Sequence, residues 1–235
     1  MSALRENVRV LDLLEMSRRK VNVALQSHNG SSEPAHLRIL NPAGAHALAC
    51  GLDAPVSVDI EGHTGYFCAG MNKLAQITVF GNAGQGVAEN MMSGRVHVRG
   101  DVSQSAAATA HGGLLVVEGN AAARCGISLK GGNIVVKGNV GHMSMFMAQA
   151  GCLVVLGDAD EALGDSIYEA AIYVRGSVAS LGADCVEKDM ADSHREQLRG
   201  LLREASCGDI KLDGFRRYGS ARELYHFKQQ NIGVY

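Results

Sequence analysis

Several groups of residues in this chain could carry chemistry, and spacing decides what each can do. Gly81-Asn82-Ala83-Gly84-Gln85-Gly86 fits G-x-x-G-x-G. Such a string cradles phosphate when it opens a helix after a strand, because bare backbone N–H groups then face the anion. His63, His111 and His142 each adjoin a glycine, a turn setting in which an imidazole can act as a general base. No carboxylate recurs beside them at a fixed spacing. Cys50, Cys68, Cys125, Cys152, Cys185 and Cys207 make no C-x-x-C pair and have no histidine at zinc-finger spacing, so they read as buried reduced thiols. Met143, Met145 and Met147 alternate like neighbours on a strand, which predicts apolar packing rather than a soft-metal site. From these groups the sequence supports no catalytic, cofactor-binding or metal-binding residue.

The first glycine of that string belongs to a larger pattern. Gly62, Gly81, Gly100, Gly119, Gly138, Gly157 and Gly176 follow one another at 19-residue intervals without insertion or deletion. Four positions before each glycine stand Val58, Ile77, Val96, Leu115, Ile134, Leu153 and Ile172, and two positions before stand Ile60, Val79, Val98, Val117, Val136, Val155 and Val174. This period-2 alternation predicts one strand per repeat with both aliphatic columns facing inward. Asn or Asp after most anchors (Asn82, Asp101, Asn120, Asn139, Asp158) marks one corner, read as a turn with left-handed backbone geometry. Gly94, Gly113, Gly132, Gly151 and Ala170 mark a second. Two corners per repeat bend the chain once around, and coils stacked at about 4.8 Å pair equivalent strands. The G-x-x-G-x-G string therefore falls at a coil corner and not in a βαβ unit.

The expected fold is all-β: a right-handed parallel β-helix of seven 19-residue coils with short helical caps and a C-terminal arm. Residues 1–55 form an N-terminal cap or docking segment with a helix near 17–27 and a strand at Leu37–Leu40. Residues 56–186 form the coils, and residues 187–235 a C-terminal helix and docking tail. Ser193-His194-Arg195-Glu196 reads as a capping box that introduces the apolar face Leu198, Leu201, Leu202 and Ala205.

Outward columns test for catalysis and for cover. Asp59, Thr78, His97, Val116, Val135, Val154 and Tyr173 pass from polar to apolar, which predicts a covered outer face over the later coils. Glu61, Phe80, Arg99, Glu118, Lys137, Leu156 and Arg175 contain no paired carboxylates, the arrangement on which β-helical polysaccharide-cleaving enzymes depend.

A net charge of −2 gives no global field to recruit nucleic acid or anionic membrane. No apolar run approaches bilayer-spanning length, and acidic residues interrupt the N-terminal apolar stretch, which predicts a cytoplasmic protein without a secretory leader. Residues 209–235 interleave aromatic and basic side chains. Phe215, Arg216, Arg217, Tyr218, Tyr225 and Phe227 are the expected partner-docking residues.

Residues 62–101, GHTGYFCAGMNKLAQITVFGNAGQGVAENMMSGRVHVRGD, resemble the GXGXG domain found at the C-terminal end of glutamate synthase large subunits and in the C subunit of formylmethanofuran dehydrogenase. HGGLLVVEG, GHMSMFMAQAG, LGDSIYEA and FRRYGSARELYHFK extend the likeness to the GlxC-type β-helix subunit of N-methylglutamate synthase, also called methylamine–glutamate N-methyltransferase. The resemblance implies a non-catalytic scaffold in a hetero-oligomer. Its partners would be a glutamine amidotransferase-like subunit and an FMN-binding glutamate synthase-like subunit, with FMN, and room for iron–sulfur clusters, in those partners. It also leaves open another glutamate synthase-type or formylmethanofuran dehydrogenase-type complex.

Overall fold

The computed structural model describes residues 8–222. Its strands follow from the aliphatic alternation, one to each 19-residue unit: β3 (Ser57–Glu61), β4 (Gln76–Val79), β5 (Arg95–Val98), β6 (Leu114–Val117), β7 (Lys130–Val136), β8 (Ala150–Val155) and β9 (Ala171–Val174). They pair in parallel and in register, so Val58 lies beside Ile77, Ile77 beside Val96, and so on to Leu153 beside Ile172. Both aliphatic columns are buried along the whole rod. The chain is a parallel β-helix.

The sheet continues past the 19-residue units at both ends. β2 (His36–Leu40) sets Leu37 beside Val58, and β1 (Arg9–Asp12) sets Leu11 beside Ile39, both in parallel. At the other end β11 (Arg216–Ser220) enters antiparallel between β9 and β10 (Cys185–Lys188), giving eleven strands in the order β1 to β9, β11, β10.

The rest of each coil is not strand. After the Gly-Asn corner comes one bridge, running Thr64, Ala83, Val102, Ala121, Val140, Ala159 and Val178 up the rod. Every second residue of the following run then has positive φ. In one coil these are Ser105, Ala107 and Thr109, at 61°, 52° and 54°. Their N–H groups point alternately to the next coil and the previous one: Ser105 to the Ala123 carbonyl at 3.0 Å, Ala107 to Val87 at 2.8 Å, Thr109 to Ile127 at 2.9 Å. Left-handed geometry costs a non-glycine residue roughly 1–2 kcal/mol, and the inter-coil hydrogen bonds, at about 1 kcal/mol net each, offset much of it. Met143, Met145 and Met147, expected on a strand, occupy the same three positions at 55°, 62° and 53°. Only Met145 turns inward to full burial, and Met147 is exposed.

Helix α1 (Arg18–Gln26) stands where a preceding coil would lie. Ser17 caps it by accepting the Lys20 N–H, and Val21, Ala24 and Leu25 close the core. Its polar face replaces the missing backbone. Asn22 donates to the Ala47 carbonyl at 2.7 Å and accepts the Ala49 N–H at 3.0 Å. Gln26 donates to Cys50 and Arg18 to His46, at 2.9 and 3.2 Å. Asn29, beyond the helix, donates to Gly51 and accepts from Asp53, both at 2.8 Å.

Helix α2 (Asp192–Glu204) lies on the outer face of the later coils. It begins before the expected capping box, and Ser193 is already inside it. Ala191 is the cap residue, and its N–H donates to His194 Nδ1 at 3.1 Å. That nitrogen must be unprotonated to accept, and burial, followed by the Arg217 charge, holds His194 below its ordinary pKa.

Candidate functional site

Three surfaces collect the residues that sequence reading singled out. The first is the corner column. The anchor glycines after Gly62 do not need left-handed geometry, since only Gly62 among them has positive φ, at 133°. What they need is space: a Cβ on Gly119 would lie 2.3 Å from Asp101 Oδ1, and one on Gly157 2.2 Å from Asn139 Oδ1. Those oxygens accept backbone N–H groups one coil on. Asn82 serves Asp101 at 3.0 Å, Asp101 serves Asn120 at 2.7 Å, Asn120 serves Asn139 at 2.9 Å, and Asn139 serves Asp158 at 2.8 Å. Asp158 closes the ladder on the Ser177 N–H and hydroxyl, which hold its carboxyl below the usual range. His63 Nδ1 opens it by accepting from Asn82 at 2.9 Å, which assigns that histidine to structure. The G-x-x-G-x-G string is part of this corner. The second corner is the one that requires left-handed glycine, with Gly94, Gly113, Gly132 and Gly151 at 79°, 83°, 78° and 93°.

The second surface is the outer sheet face. Leu114, Val116, Val135, Cys152, Val154 and Tyr173 form a second core with Leu198, Leu201, Leu202, Ala205, Cys207 and Phe215. The cover expected from the outward column is thus the chain's own C-terminal segment. Tyr173 donates its hydroxyl to Gln197 Oε1 at 2.8 Å, and Arg95 donates to the Glu204 carbonyl, the end of α2, at 2.7 Å.

At the border of that cover sits the densest polar cluster of the face. Glu118 accepts from Lys137 at 2.6 Å and meets His97 at 2.6 Å and Arg99 at 3.5 Å. Burial alone would raise the Glu118 pKa, but the bonds from Lys137 and His97 outweigh it, and the carboxyl is held below its ordinary value. For His97 burial wins over the attraction of Glu118, with Arg99 and Arg95 adding to it, and its pKa is lowered. The imidazole is therefore neutral near pH 7 and donates from Nε2. Glu118 already shares its charge with two cations, so a protonated histidine there would gain little. Toward β2 the face is open and polar, with a groove of about 600 Å³ lined by His36, Ser57, Asp59, Gln76 and Thr78. His36 and Asp59 meet at 2.8 Å, and Arg38 and Glu61 at 3.1 Å.

The third surface is the C-terminal segment. Phe215 and Tyr218, expected to anchor a partner, are buried in the protein's own fold, Phe215 under α2 and Tyr218 over the end of the rod core. The reason is topological: β11 is drawn into the sheet beside β9, which turns these rings inward. Arg216 donates to the Gly176 carbonyl and Arg217 to that of Asp189, each at 3.1 Å. Tyr225 and Phe227 lie outside the described residues.

The six cysteines are all free and buried. Burial pushes the thiols of Cys68 and Cys125 up to about 12 and those of Cys50, Cys152 and Cys185 up to about 11, far from the thiolate state that nucleophilic or metal chemistry needs. Among the described residues no group of three His, Cys, Asp or Glu side chains could hold a metal ion, and no helix is long and apolar enough to cross a membrane.

No family model matches the chain. Comparison with curated proteins finds 55% identity over 226 residues with Protein GlxC of Rhizobium meliloti (strain 1021), covering 96% of this chain and 99% of that one. The chain belongs to the GlxC family. Because the match runs nearly end to end, membership takes in α1 and α2 as well as the coils between them.

Proposed function

We propose that this chain is the non-catalytic scaffold subunit of an FMN-containing, glutamate-synthase-like complex, and that the complex is an N-methylglutamate synthase. The reaction would join methylamine to glutamate with release of ammonia. One partner is a glutamine amidotransferase-like subunit and the other an FMN-binding synthase-like subunit, to which the flavin chemistry belongs. The observation that carries this reading is the end-to-end match to Protein GlxC. The condition of the polar residues is consistent with it. Glu118, Asp59 and Glu61 are each tied to a cation or imidazole, and such carboxylates hold a face in shape and are poorly placed to exchange protons with a substrate. A rigid rod with one self-covered flank and one open polar flank suits a part that keeps larger subunits at a fixed separation.

The test is co-expression with the two proposed partners, followed by sizing of the complex and assay of N-methylglutamate and ammonia. A stable three-subunit assembly that loses activity without this chain is the expected result. FMN binding or turnover by the chain alone would overturn the scaffold role. Co-purification with a molybdopterin- or tungstopterin-binding subunit would move the chain to a formylmethanofuran dehydrogenase-type complex.

A further inference from the structure

We draw no further inference here: the strongest candidate, the surface patch of exposed apolar side chains on the first two 19-residue coils (Tyr66, Met71, Leu74 and Met92), is an unpartnered face, and nothing among the described residues shows what covers it.

Discussion

A Cβ on Gly100 would stand 2.1 Å from the Oδ1 of Asn82, the oxygen that accepts the Asp101 N–H at 3.0 Å. The glycine of one coil thus leaves room for the capping oxygen of the coil before it, and the glycine column cannot gain a side chain without displacing that oxygen.

Gly119→Ala tests that clearance. The added methyl would meet Asp101 Oδ1 at 2.3 Å and the Gly100 backbone at 3.0 Å, and overpacking of this kind costs about 1–3 kcal/mol. Gly200→Ala is the control. Its Cβ meets nothing within 4 Å on α2, so helix propensity alone should stabilise it by about 0.5–1 kcal/mol. Denaturant midpoints of the two variants should move in opposite directions.

Leu198→Ala tests the self-covered flank. Leu198 is fully buried against Val135, Val154 and Tyr173, and truncation there should cost about 2–5 kcal/mol. Limited proteolysis should then cut within 192–215 before it cuts the coils, and the opened flank should bind a hydrophobic dye.

Acid should loosen the flank in two stages. Burial holds the native His97 pKa below its ordinary 6.5, so the stability tied to its neutral form is complete above about pH 6.5 and is lost as pH falls through the lower native value. Glu118 is held below 4.5, so its contribution is complete above about pH 4.5 and is lost on further acidification. Melting temperatures across pH should show both declines. His97→Gln should flatten the first, and Glu118→Gln the second.

Asn22→Leu should damage one end only. It leaves the Ala47 carbonyl and the Ala49 N–H without their partner, a loss of about 1–3 kcal/mol. Hydrogen exchange should quicken at residues 47–51 and remain unchanged in the middle coils.

The coils, both corners, the extent of α1, the start of the apolar outer flank and the shared register of equivalent residues could all be read from spacing, because burial demands a strict period. The left-handed runs could not. Ser105, Ala107 and Thr109 advertise no turn, and only the inter-coil hydrogen bonds make their geometry affordable. The anchor glycines were legible as a column but not in their cause, since close approach between coils involves atoms 19 residues apart. Phe215 and Tyr218 read as surface anchors because an antiparallel insertion beside β9 leaves no periodic trace. Arg18, Asn22, Gln26 and Asn29 did carry a signal, a polar stripe at helical spacing, but its role appears only when the first coil's empty backbone groups are in view.

From Gly62 to Gly176 every coil has the same length, and equivalent atoms make the same bonds to the coils on either side. Duplicating one 19-residue unit would therefore lengthen the molecule by about 4.8 Å and leave both caps intact, while a duplication that is not a whole number of 19-residue units would put the ladder out of register. The chain is a ruler graduated in coils, and the span between its two caps is a number that the genome can count.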